Sequence, residues 1–182
     1  MLKAIGIIEL NSIAIAVKIA DYMVKAGEVE LIFSKPVCPG KYIIMVAGDV
    51  GAVEASVKEG TKNSGVFLLE NIIIPNISDE VIKAIYGLTP IKNFNAIGIM
   101  EFFNIITSIK AADFAVKASQ VDIIDIRLGV GIGGKSFVIL SGEVSAVEEG
   151  IVAGCEESIT QGTLINKVVI PSPSKEVFLN LL

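Results

Sequence analysis

Within this 182-residue chain one pattern is written twice, and that duplication limits the possible folds more than any other feature. Ala4-Ile-Gly-Ile-Ile-Glu-Leu10 returns 92 positions on as Ala96-Ile-Gly-Ile-Met-Glu-Phe102, with five of seven residues identical. Ala20-Asp-Tyr-Met-Val-Lys-Ala26 returns at the same spacing as Ala112-Asp-Phe-Ala-Val-Lys-Ala118. Gly48-Asp-Val-Gly-Ala-Val-Glu54 returns 94 positions on as Gly142-Glu-Val-Ser-Ala-Val-Glu148, and Ile74-Pro75 pairs with Ile170-Pro171 at a spacing of 96. The second copy has therefore gained two residues in a loop between the second and third blocks, and two more in the connection before its last strand.

Each copy can be read into elements. Lys3 to Leu10 is β-rich, Asn11 or Ser12 can cap a helix, Ile13 to Ala26 has the apolar spacing of a helix on a sheet, and Gly27 ends it. Val29 to Lys35 reads as a second strand, Pro36 to Gly40 as a turn and Tyr42 to Ala47 as a third strand. Asp49 caps a helix through Ser64, and Val66 to Ile74 closes the unit. The order βαββαβ is the α+β, ferredoxin-like plan, in which four antiparallel strands carry both helices on one face. Two tandem domains are expected, over 1–90 and 95–182, with a short helix at Glu80 to Tyr86 and a polar linker from Pro90 to Asn95.

Hydrophobic residues make up 52% of the chain and mean hydropathy is +0.70, so a membrane location must be tested. A spanning helix needs about 20 consecutive apolar residues, whereas Lys3, Glu9, Lys18, Asp21 and Lys25 interrupt the N-terminal stretch. The apolar run after Lys3 is also too short for the hydrophobic region of a secretory signal. A net charge of −5 and a pI near 4.8 offer no basic face to a phosphate backbone, which argues against nucleic acid as a partner. The chain has no His, which removes the commonest general base and metal ligand and points away from an enzyme. Two cysteines are too few for a disulfide scaffold, and the chain reads as cytoplasmic. Small domains bury little of their surface, so this much apolar residue also leads us to expect burial between subunits.

Five features bear on chemistry. Gly129, Gly131 and Gly134 fit the G-x-G-x-x-G spacing, but a dinucleotide loop must open a helix, and Lys135 to Leu140 reads as a strand. This stretch corresponds to Pro36–Gly40 of the first copy, where glycines let backbones approach at a symmetry axis. Cys155 lies among Val152, Ala153 and Ile159 and reads as a small buried hydrophobe. Cys38 sits in Ser34-Lys-Pro-Val-Cys-Pro-Gly40, a stiff loop, where an incidental cysteine and a metal or redox thiol are both open readings; one thiolate cannot hold a cluster, so such a site needs several subunits. Lys25 and Lys117 each follow an Asp by four residues, which fits either a solvated helical ion pair or a lateral contact between subunits. Glu9 and Glu101 recur with no second acid or His nearby in sequence, a poor basis for catalysis.

The blocks A-I-G-I-x-E, A-D-x-x-x-K-A and G-D/E-V-x-A-V-E make both halves resemble the bacterial microcompartment (BMC) shell domain. Ser34-Lys35, Cys38-Pro39-Gly40-Lys41, Ala111-Ala112-Asp113 and Gly131-Ile132-Gly133-Gly134-Lys135 are similar to the tandem-domain shell proteins of propanediol-utilisation compartments. The resemblance implies a flat tile built as a homotrimer with pseudo-sixfold symmetry, placed in a microcompartment shell beside other shell proteins. It implies a [4Fe–4S] cluster, one per trimer, on the threefold axis, with Cys38 of each chain as ligand and electron transport across the shell toward a redox enzyme of the lumen. On the same basis Val37, Pro39, Gly40, Gly131, Ile132 and Gly133 would line the central pore, and Lys25 and Lys117 would make edge contacts. The alternatives are a metal-free tile whose Cys38 loop lines a small-molecule pore, and a ferredoxin-like module that binds a small ligand.

Overall fold

A computed structural model describes residues 3–89 and 95–180. Of the linker expected over Pro90–Asn95, all but Asn95 lies outside the described residues. The first repeat contains β1 (Ala4–Leu10), α1 (Ile13–Ala26), β2 (Val29–Val37), β3 (Lys41–Gly48), α2 (Val50–Ser64), a 3₁₀ turn at Gly65–Phe67 and β4 (Leu68–Pro75). A short helix, α3 (Asp79–Ile85), follows. The second repeat contains β5 (Ala96–Phe102), α4 (Ile105–Ala118), β6 (Asp122–Leu128), β7 (Ser136–Gly142), α5 (Val144–Thr160), β8 (Leu164–Pro171) and α6 (Lys175–Asn180). The chain divides into two compact units between Ile77 and Ser78, because α3 packs on β6 and α4.

The βαββαβ plan is present in both repeats as antiparallel sheets of order β2-β3-β1-β4 and β6-β7-β5-β8. Hydrophobic patterning explains the order. β1 and β3 are near-continuous apolar runs and occupy the centre, buried on both faces. β2, with Glu30, Lys35 and Pro36, takes an edge, where a proline that cannot donate to a ladder is tolerated. For the same reason β2 continues through Pro36 to Val37, two residues beyond the expected end at Lys35.

In unit 1 both helices lie on one sheet face. Ala16, Ile19, Ala20 and Met23 of α1, spaced i, i+3, i+4 and i+7, join Val53 and Val57 of α2 over Ala4, Ile8 and Leu10 of β1. Gly6 lets α2 come this close: a Cβ there would stand 2.5 Å from Val57 Cγ2 and 2.8 Å from Val53 Cγ1. In unit 2 Gly98 does the same work, since its Cβ would lie 2.6 Å from Val147 Cγ1.

The helix caps differ from expectation. Ser12 and Asp49 occupy N-cap positions, but neither side chain makes a capping hydrogen bond. The Asp49 carboxylate turns instead to Lys3 Nζ at 3.0 Å. In α4 the cap is a side chain, Asn104 Oδ1 accepting from the Thr107 N–H at 2.8 Å, and before α6 Ser174 Oγ accepts from the Val177 N–H at 3.3 Å. Gly27 does end α1, yet with extended backbone rather than a left-handed cap. It is glycine because a Cβ would meet the Ala52 carbonyl oxygen at 2.6 Å.

Overpacking a tight core site costs about 1–3 kcal/mol. Gly6→Ala should therefore lower stability by that order in chemical denaturation. Gly51→Ala, where a Cβ meets nothing within 4 Å, should leave it unchanged or slightly raised.

Candidate functional site

The first two-residue gain of the second repeat falls in the connection between an edge strand and its central neighbour. In unit 1 that connection is the turn Cys38–Pro39–Gly40 between β2 and β3; in unit 2 it is 129–135 between β6 and β7. The short turn is closed by the Gly40 N–H, which donates to the Val37 carbonyl at 3.0 Å, and Gly40 has φ of 90°. The Cys38–Pro39 peptide is cis. Val37 is buried at the end of its strand, Cys38 is half-buried, and Pro39 and Gly40 are exposed. In the longer connection Gly131 and Gly133 are exposed, Ile132 is half-buried, and Gly129, Gly131, Gly133 and Gly134 all have positive φ. The strand β7 follows directly, so this G-x-G-x-x-G spacing opens no helix and offers no dinucleotide site.

Both cysteines are free thiols. Cys155 is fully buried in α5, and burial pushes its pKa up to about 11, with Lys167 acting weakly in the opposite direction. It is inert packing, as its neighbours in sequence imply. Cys38 differs in standing half-buried on a turn between two strands. Among the described residues no group of three or more His, Cys, Asp or Glu side chains within the chain could hold a metal ion. A single chain therefore brings one thiolate, Cys38, to any metal site at this turn.

Glu9 and Glu101 are not catalytic dyads in waiting. Lys41 Nζ lies 2.9 Å from Glu9 Oε1, and Lys135 Nζ lies 3.0 Å from Glu101 Oε1. These lysines, which sequence reasoning passed over, stand where the two connections meet β3 and β7. Lys41 and Lys135 recur at a spacing of 94, but their pairing with Glu9 and Glu101 shows only once the strands lie in register.

The helical pairs also form. Lys25 Nζ and Asp21 Oδ2 are 2.6 Å apart, as are Lys117 Nζ and Asp113 Oδ2. They are unequal, because the Asp21 side chain is 53% exposed and that of Asp113 only 4%. Asp113 also accepts the Ser78 N–H at 2.8 Å, the residue just before α3. Each lysine borders a surface groove of its own unit, about 340 Å³ beside Tyr22 and Glu59 and about 580 Å³ beside Phe114 and Glu156.

Three outcomes follow from these environments. In folded, metal-free protein one equivalent of thiol reagent should react near pH 8, at Cys38, and a second only after unfolding. The stability that Cys155 contributes through its raised pKa is present below pH 9.0, its ordinary value, and is lost as pH rises toward about 11. Lys117→Ala, which leaves a buried carboxylate with one partner fewer, should lower the unfolding midpoint more than Lys25→Ala, where an exposed i,i+4 pair is worth only about 0.3–0.5 kcal/mol.

The model of the BMC domain matches this chain twice, over residues 4–77 and 96–173. The bacterial microcompartment shell protein PduT of Citrobacter freundii is 39% identical over 178 residues, covering 98% of this chain and 97% of that protein. A crystal structure of a microcompartment protein from Desulfitobacterium hafniense superposes with a TM-score of 0.95 at 46% identity, covering 98% of this chain and 99% of that one. A fused, permuted hexameric shell protein, MSM0275, shares the fold at a TM-score of 0.62 and 21% identity, over 85% and 84% of the two chains. No described helix is long and apolar enough to cross a membrane. The two units, the repeated sheets and these matches agree: the chain belongs to the BMC-domain family of bacterial microcompartment shell proteins, with its two domains in tandem.

Proposed function

We propose that three copies of this chain close into a pseudohexagonal tile of a microcompartment shell, and that the tile carries one [4Fe–4S] cluster held by the three Cys38 thiolates. The observation that carries the tile is a difference between equivalent positions of the two repeats. Ile13 of α1 is 47% exposed and Val17 is 55% exposed, whereas their counterparts on α4, Ile105 and Ile109, are 3% and 0% exposed. The sheets show the converse. Ile7 and Ile43 are fully buried, and their counterparts Ile99 and Phe137 are only half-buried. One chain thus leaves open an apolar helix face and a different sheet face, each equivalent to one already covered. Two unlike open faces make a head-to-tail contact, which closes into a ring when the rotation allows. Six domains from three chains satisfy every such face.

The cluster reading rests on the donor set. Cys38 is a free thiol at the tip of a tight turn, and among the described residues of its chain no cluster of ligands forms, so a metal site at this turn would be shared between copies. The second repeat has Gly131-Ile132-Gly133 in the corresponding connection, so a trimer presents three thiolates rather than six. Three thiolates suit three irons of a cubane, with the fourth iron taking a ligand other than cysteine. When bound, the cluster supplies one-electron chemistry at the centre of the tile. The residues Val37, Pro39, Gly40, Gly131, Ile132 and Gly133 would surround that opening, and Lys25 and Lys117 would face neighbouring tiles. Similarity to the shell protein PduT over nearly the full chain supports the tile; other shell proteins would be its partners and a redox enzyme of the lumen its electron partner.

Light scattering should give the mass of three chains, and a stable monomer at micromolar concentration contradicts the tile and favours a small-ligand module. Val17→Asp, which places a charge on the open face of α1, should convert the trimer to smaller species without unfolding either unit. Lys25→Ala should keep the trimer and impair its growth into sheets. Protein prepared without oxygen should be brown, and Cys38→Ala should lose the colour while keeping the trimer. Colourless wild-type protein with no iron or sulfide would leave a metal-free pore.

A further inference from the structure

The turn that presents Cys38 is only three residues long, so its geometry is set where the strands enter and leave it. Val37 and Lys41 are cross-strand partners at that point, and Lys41 is the first residue of β3. Its ammonium pairs with Glu9, whose side chain is 8% exposed. Taking a carboxylate out of water is costly unless a cation accompanies it. The cost is sharpened here by the register, because the residue opposite Glu9 on β4 is another acid, Glu70. Lys41 is therefore held to Glu9, and the residue that leaves the turn is held with it.

Unit 2 provides the comparison. Lys135 pairs with Glu101 in the same way, although the connection before it is longer and glycine-rich. That pair is wetter, with Glu101 35% exposed, and Glu101 stands opposite Asn166 rather than an acid. The pair persists where the loop has changed, and its drier, more strongly acidic version stands beside the cysteine.

We propose that Lys41, acting through Glu9, is a positioning residue that fixes where Cys38 is presented. The proposal deepens the cluster reading, which gives the presentation its purpose, yet it is tested on metal-free protein and so can fail or stand separately from that reading. The probe is the rate of Cys38 alkylation by iodoacetamide in the full-length, metal-free protein, followed by mass spectrometry. Lys41→Met keeps most of the aliphatic stem and removes the charge. It should change the Cys38 rate about tenfold, the effect of ~1.4 kcal/mol on the population of the native turn, and Lys41→Arg should restore it. Lys135→Met cuts the equivalent pair in unit 2 and should lower the unfolding midpoint while leaving the Cys38 rate at its wild-type value. Should Lys41→Met fail to fold, the double variant Glu9→Gln with Lys41→Met removes both charges together and should show the altered rate in a folded protein. A Cys38 rate within twofold of wild type in the folded Lys41 variants, or an equal change caused by Lys135→Met, overturns the proposal. Iron and sulfide content of the wild-type protein after anaerobic reconstitution reports the cluster reading independently.

Discussion

The chain's organisation depends on giving one apolar surface two environments. α1 and α4 descend from the same sequence pattern, and both carry apolar residues on the side away from their own sheet. On α4 that side is dry; on α1 it meets water. Removing apolar surface from water is worth ~25 cal/mol per Å², so a contact that covered Ile13 and Val17 would be favoured. The pressure is directional, because the other open surface lies on the sheet of unit 2 rather than on a second copy of the α1 face. In the proposed tile a duplicated domain would encode a ring without needing two-fold contacts.

Duplication also permits chemistry that an exact repeat forbids. Once two loops lie at equivalent places in one chain, each can change alone. Here one has become a short turn bearing Cys38, and the other a glycine-rich connection that carries no ligand. The lysine–glutamate pairs beside both loops did not diverge, which is the behaviour expected of groups that hold strand ends rather than meet a ligand. The helical Asp–Lys pairs have diverged in environment more than in sequence, with Asp113 tied to Ser78 as well as to Lys117 and Asp21 exposed.

Much of the fold was legible in the sequence. The repeated blocks located two units, and the apolar runs within Lys3–Leu10 and Tyr42–Ala47 marked strands. The limits of the helix Ile13–Ala26 followed from apolar spacing, and those of Val50–Ser64 from an acid at its start. What was not legible depended on partners distant in sequence. Asp49 looked like a cap but lies within reach of Lys3; Gly27 looked like a left-handed terminus but is needed for a close backbone approach; α3 followed the first repeat yet packs on the second. The Cys38 turn was visible from its prolines and glycine, while the lysine that anchors it emerges only when β1 and β3 are placed side by side in register.

The central claim is that unequal burial of equivalent faces closes three chains around one thiolate-bound cluster. Native mass spectrometry of protein purified without oxygen addresses it in one measurement. The account predicts a dominant species with the mass of three chains plus four irons and four sulfides. A single chain, or an assembly that is not a multiple of three chains, would contradict the ring; three chains with no added mass would contradict the cluster.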